Sequence, residues 1–295
     1  MDLRVLSDVL VGGLAAGAVY ALMALGLVLI YKTTDVVNFA HGDMATVSTF
    51  VAYALAVQAG WPVLAAALLA MGFAALLGAA MELGLLQPAR LGHASVLGLV
   101  VVTLGAGLTL NGLAGVVWGH DVKSFPFLLT GPPLRAGELL VPVDQLLNLA
   151  VGVALAAALY VFFRFSDLGV AMRAVLSNRT AAQLVGIPVR RVFALSWSLG
   201  SVLGAVAGIL AAPILYLEPN RMVDLLLKGF AAAVLGGMDS LPGAVAGGAL
   251  LGVLENLAGT YGSIDLKASL AFVVIVLVLV VRPHGLLGAG RVRRV

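Results

Sequence analysis

Runs of about 20 apolar residues recur along nearly the whole chain, each closed by a short cluster of polar or turn-forming residues. A helix needs about 20 apolar residues to cross the hydrocarbon core of a bilayer, whereas barrel strands would be about ten residues long with alternating polarity. The pattern therefore predicts an all-α membrane protein, a polytopic helical bundle of about eight spans. Spans are expected at roughly 9–31, 44–60, 61–87, 94–118, 146–163, 193–216 and 267–281, with a further apolar element over 225–258. Gly13 and Gly17 in the first span, and Gly200, Gly204 and Gly208 in the sixth, have the four-residue spacing that lets helix backbones approach closely.

Two interruptions stand out. Residues 32–43, KTTDVVNFAHGD, set Asp35, Asn38, His41, Gly42 and Asp43 between apolar stretches with hardly any loop. Non-helical backbone at membrane depth is tolerated only where protein buries it or water reaches it. This break is thus either a capped kink satisfied by its neighbours or a piece of pathway lining. The second interruption lies within 225–258, where two apolar pieces are separated by MDSLP, around Gly236, Gly237, Ser240, Pro242 and Gly243. The first piece is too short to cross a core about 30 Å thick at 1.5 Å per residue, so the stretch reads as a re-entrant or broken-helix element. Two such breaks flanked by glycine-rich half-helices hint at two related halves.

The longest polar and basic interruption runs from Arg164 to Val192. Asp167 is placed to cap a helix ending near Leu176, and Ser177 or Asn178 to cap a second, two-turn helix that stops at Gly186 before Pro188. The result is a helix-loop-helix unit carrying Arg164, Arg173, Arg179, Arg190 and Arg191. By the positive-inside rule it lies on the cytoplasmic side. With the N-terminus outside, 11 of the 17 Lys and Arg residues fall inside, including Lys32, Arg90 and Arg291, Arg293 and Arg294 of the tail. Gly119–Gln145 and the LEPNRMVD turn are then outside, and 225–258 must enter and leave on the same side. The opening apolar run to Ile30 is too long for a signal-peptide core and reads as an uncleaved first span.

Composition narrows the chemistry. Of the 295 residues 62% are hydrophobic and 11% charged, which excludes a soluble globular protein. With no cysteine there is no disulfide framework, thiol nucleophile or thiolate metal site, and no histidine has ligand spacing. A GxxxxGK[ST] phosphate loop and a Gly-x-Ser-x-Gly nucleophile turn are also missing from the sequence. The net charge of +3 gathers at span ends and reads as a topology signal, with no bearing on nucleic acid. Glu82 and Glu255, near span ends, read as interface anchors or ion-paired residues.

Several segments together resemble the H-type permease subunit of branched-chain, or hydrophobic, amino acid ABC transporters. They are Val37-Asn38-Phe39-Ala40-His41-Gly42, Asn178 with Ala181, Ala182, Gly186 and Ile187, Val234 to Gly237 with Ser240 to Ala244, and Arg282-Pro283-His284-Gly285-Leu286. They span nearly the full length in the family's order. The basic loop is also similar to the importer coupling motif Glu-Ala-Ala, three residues, Gly, except that Thr180 stands where the glutamate would be, next to Arg179.

The resemblance implies one permease domain over 1–295 in a bacterial or archaeal plasma membrane. It also implies a second permease, M-type or a copy of this chain, two cytosolic ATPases and an extracytoplasmic binding protein. ATP would be used by the partners, with no cofactor bound here and no enzymatic activity. Residues 178–187 would couple to the ATPase, and the two breaks would shape the path. A urea or short-amide importer would share this architecture, and a self-contained channel or carrier is the alternative of a different class.

Overall fold

The computed structural model describes residues 3–136, 139–220 and 222–288. The tail residues Arg291, Arg293 and Arg294, together with Glu138 and Arg221, lie outside the described residues. The chain divides into two compact units. Unit 1 comprises Met1–Val28, Phe127–Ala154 and Leu227–Val295, and unit 2 comprises Leu29–Pro126 and Leu155–Leu226.

Helix α1 (Leu3–Thr34) is followed by α2 (His41–Tyr53), which continues as a π-helical turn over Ala54–Gln58. Helix α3 (Val63–Ala80) passes through a second π-helical turn, Met81–Leu86, into the short α4 (Gln87–Leu91). Then come α5 (Val96–Trp118), a two-stranded hairpin of β1 (Leu134–Ala136) and β2 (Leu139–Val141), and α6 (Val143–Phe165). The basic segment forms α7 (Asp167–Ser177) and α8 (Arg179–Leu184), and α9 (Val189–Leu215), α10 (Met222–Gly236), α11 (Leu241–Tyr261) and α12 (Ile264–Val281) complete the chain. Among the described residues six helices are long and apolar enough to cross a membrane, over 5–34, 63–91, 96–118, 143–165, 189–215 and 241–261. Two further segments, α2 with its π turn and α12, have 18 residues each, a marginal length for a span. The total agrees with the expected number of about eight.

Unit 2 is built on α2, α3, α5 and α9. Its packing depends on missing side chains: a Cβ at Gly78 of α3 would collide with the Trp197 carbonyl of α9 and with Ser201, and one at Gly208 would meet the Thr49 hydroxyl. Trp197 is fully buried in a cluster with Ile30, Val36, Ala40, Met44, Met81, Leu86 and Leu99. In unit 1, α11 lies on α1 through Gly248 and Gly252, where an added Cβ would strike Ala21, Gly13 or Gly17. These are the close helix contacts that the glycine spacing predicts. In a bilayer such contacts work through dispersion and backbone approach, because lipid is as apolar as leucine.

Serine and asparagine supply the caps. Ser95, Ser240 and Ser263 accept from the backbone N–H three residues on at the starts of α5, α11 and α12. At α7 the cap is Ser166, whose Oγ accepts from Gly169 at 2.9 Å. Asp167, expected as the cap, instead occupies the first turn, where its charge complements the helix dipole. The first break is also shorter than expected. The Thr33 and Thr34 hydroxyls bond back to the Leu29 and Ile30 carbonyls and α1 stays helical to Thr34, so the irregular backbone is confined to 35–40.

Candidate functional site

Asp35 ends α1 in the left-handed region, with φ +55°. From there Val36–Ala40 run without helix along the interior turns of α5, inside unit 2. The Thr103 hydroxyl of α5 accepts from the Phe39 N–H at 3.2 Å, and the Asn38 Oδ1 accepts from the Ala40 N–H at 3.0 Å. Asn38 also directs its Nδ2 to the Met44 sulfur at 3.5 Å, and both Asn38 and His41 are fully buried. Side chains of the same unit therefore take up backbone groups that no helix ladder serves here. The His41 ring lies against Gly204, where a Cβ would come within 3.0 Å of it.

Two residues on, half-buried Asp43 accepts from Asn111 Nδ2 at 3.2 Å. The same amide of Asn111 reaches the Pro219 carbonyl at 3.0 Å and Asn220 Oδ1 at 3.2 Å. Gly42, beside Asp43, packs against Leu226 and the Met222 carbonyl. Neither Thr103 nor Asn111 is singled out by sequence reasoning, because each is an isolated polar residue in an apolar helix. Lys123 and Leu217, from the segments after α5 and α9, exchange backbone hydrogen bonds at 2.9 and 2.8 Å. Both of those segments are expected on the outer side.

The basic loop folds as a helix, turn and helix in unit 2. Asn178, in extended conformation, accepts from Ala181 N–H at 3.0 Å and so caps α8. The helix ends where Gly186, at φ +86°, turns the chain and Ile187 N–H donates to the Ala182 carbonyl at 2.9 Å. Ala182 is buried beneath the helix, whereas Thr180, Ala181, Leu184 and Val185 face outward, with Leu184 84% and Val185 77% exposed. Arg179 donates to the Thr33 carbonyl at 3.1 Å and to Asp35 Oδ2 at 3.0 Å, and its guanidinium lies 5.0 Å from the centre of the Phe193 ring. Arg90 also lies over that ring, at 4.8 Å, and pairs with Glu82 in the π-helical turn after α3. Glu82 is thus ion-paired, as is Glu255, whose partner is Lys228.

In unit 1 the second break is the turn of a helical hairpin. A Cβ at Gly236 would collide with the Gly243 carbonyl, and one at Gly247 with that of Ala232, so α10 and α11 lie backbone against backbone. Gly237 has φ +111°, Ser240 caps α11 and Pro242 fits its first turn, where no N–H is needed. The segment after α12 closes the site. Leu286 N–H donates to Leu235 carbonyl at 2.8 Å and Leu287 N–H to Gly236 carbonyl at 2.9 Å, which satisfies carbonyls at the end of α10. Gly285, at φ +73°, lies directly on the Gly237 backbone. Residues 234–237, 240–244 and 282–286, distant in sequence, are therefore one structural feature. Helix α10, with 15 residues, rises about 22 Å and α11, with 21, about 31 Å, so the second piece alone has membrane-spanning length.

Membrane-length helices, a short exposed helix and two glycine-rich breaks together make up a helical multi-pass membrane protein. The chain belongs to the family described as "Branched-chain amino acid transport system / permease component", which matches residues 9–281. Within it the chain is an H-type permease. It is 30% identical, over 96% of both chains, to the high-affinity branched-chain amino acid transport system permease protein LivH of Escherichia coli K12. It is 31% identical, over 97% of both chains, to the corresponding permease protein BraD of Pseudomonas aeruginosa. A solved structure, PsaBC from Streptococcus pneumoniae in complex with Fab, aligns over 95% of this chain and 91% of its own with a TM-score of 0.46 and 17% identity.

Proposed function

We propose that this chain forms half of the translocation path of an ATP-driven importer for branched-chain or other hydrophobic amino acids. The observation that carries the reading is the construction of α8. Its outer face presents small and apolar residues, while Arg179 at its first turn holds Asp35, the residue from which the first break departs. The relatives named above are branched-chain amino acid permeases, which supports the solute class.

On this reading ATP is bound and hydrolysed by two partner subunits. Helix α8 lies on the cytoplasmic side and docks in one of them, and Gly186 and Ile187 set the turn that returns the chain to α9. A second permease completes the path and an extracytoplasmic binding protein delivers the solute. Closure of the ATPases pushes α8, and the Arg179–Asp35 pair passes the displacement to residues 35–40. Asn38 and His41 shape that break from behind, while Gly42 and Asp43, with Asn111, bring it to the path. The Gly236, Gly237, Ser240, Pro242 and Gly243 turn is the second element that shapes the path.

Reconstitution tests this directly. Liposomes holding the permease with its ATPases, partner permease and binding protein should accumulate leucine only with ATP, and the permease alone should pass none. Leucine flux through this chain alone, without ATP, would make it a channel or carrier.

A further inference from the structure

Unit 1 contains a charged cluster inside an apolar helix bundle. The Lys228 ammonium of α10 donates to Glu255 Oε1 of α11 at 2.6 Å and to the Tyr20 hydroxyl of α1 at 3.2 Å, and it lies 5.3 Å from the Tyr20 ring centre. Lys228 thus bridges the Tyr20 hydroxyl and the Glu255 carboxylate. Three helices contribute one group each to a cluster centred on the Lys228 ammonium. The site is deep within its helices, since Tyr20 is the eighteenth of the 32 residues of α1 and Glu255 the fifteenth of the 21 of α11.

Stability gives no reason to keep such a pair. Exchanging a buried ion pair for apolar residues of similar size is commonly neutral or stabilising, and charge inside a bilayer is costly. Its chemistry offers a better one. An ammonium 2.6 Å from a carboxylate is the complement of an amino acid's own carboxylate and ammonium. A zwitterion can enter by exchange, its carboxylate taking Lys228 and its ammonium taking Glu255, so that no charge stands unpaired in a low dielectric at any stage. The Lys228 side chain is 22% exposed and uses two of its three N–H donors on protein groups, which leaves it a direction from which a ligand carboxylate can approach. Glu255, at 5% exposure, is buried and has Lys228 as its partner. Such a site reads the charged end common to all amino acids and leaves the side chain to apolar surroundings. A solute bearing one charge would leave half of the cluster unpaired.

We propose that Lys228, Glu255 and Tyr20 form a zwitterion-exchange site for the α-ammonium and α-carboxylate of the transported amino acid. This rests on the reading that the chain carries amino acids. In the complete importer reconstituted in liposomes, the apolar double variant K228M/E255L should assemble with its ATPases while leucine uptake falls about tenfold or more. Uptake at the wild-type rate would overturn the site. A measurement on the wild-type complex covers a double variant that does not assemble: photolysis with a diazirine analogue of leucine should label peptides covering 17–24, 225–232 or 252–258. Leucine should compete for that label and leucinol, which lacks the carboxylate, should not. Label confined to other stretches, or displaced equally by leucinol, overturns the proposal. A wild-type importer that moves another solute and no amino acid would instead remove the function reading itself.

Discussion

Arg179 bonds Asp35 at 3.0 Å, joining the first residue of α8 to the residue where α1 gives way to the first break. Both side chains are about two-fifths exposed, at 41% and 43%, so the pair contributes about 1 kcal/mol or less to stability. Its value is geometric. The variant R179A should fold and assemble normally and retain ATP hydrolysis, while uptake per ATP falls several-fold. R179K should recover part of the loss, because both bonds come from one guanidinium nitrogen that an ammonium can replace, while the guanidinium over the Phe193 ring is lost. The ratio of solute taken up to phosphate released checks this.

Two glycines of α3 provide an internal control for the close packing in unit 2. Nothing lies within 4 Å of a Cβ placed on Gly72, whereas one on Gly78 would run into the Trp197 carbonyl and Ser201. G72A should therefore be neutral or stabilising by up to about 1 kcal/mol, as expected for alanine in a helix. G78A has rigid backbone to displace and should cost about 2 kcal/mol or more. In thermal melting in the same detergent G78A should fall below wild type while G72A stays at or above it.

The tail segment makes a prediction for unit 1. Gly285 has φ +73° and touches the Gly237 backbone, and the two N–H groups that follow it serve the end of α10. G285V combines backbone strain with a collision and should release the Leu286 and Leu287 hydrogen bonds, at a cost of about 2 kcal/mol or more. Hydrogen exchange should show faster exchange at Leu286 and Leu287, and protease sensitivity should rise at 237–240.

The features legible in the sequence are those carried by local contrast. Asn38, His41 and Asp43 interrupt an apolar run, Gly237 and Pro242 punctuate another, and Asn178 and Gly186 bracket a two-turn helix; each lies at a structural break or helix end. The partners of these residues were not legible. Thr103 lies 64 residues from Phe39, and Asn111 lies 68 from Asp43, and single polar residues in long helices carry no spacing signal. The same holds for the union of the tail with the α10 end, which depends on backbone hydrogen bonds that any residue but proline can make. The π-helical turns at 54–58 and 81–86 are also invisible to apolar periodicity, since each holds one polar residue, Gln58 or Glu82, among apolar ones and an extra residue in a helical turn leaves no separate mark on the sequence.

The outer face of α8 yields the most direct test of docking. Leu184 and Val185 are large apolar residues, 84% and 77% exposed, at the end of a helix whose other side is anchored by Ala182. Exposure of this kind adds nothing to the fold of the isolated chain, so L184D should leave melting within about 0.5 kcal/mol of wild type. Placed in an ATPase groove, the same carboxylate would be buried without a partner, and recovery of ATPase with the tagged permease should fall about tenfold or more. G186V acts on the same helix by another route. Nothing crowds the position, but φ +86° is strained for a branched residue, so the turn must shift and α8 with it. That variant should keep its ATPases at reduced occupancy and hydrolyse ATP without matching uptake. Full uptake in both variants would place the ATPase contact elsewhere on the chain.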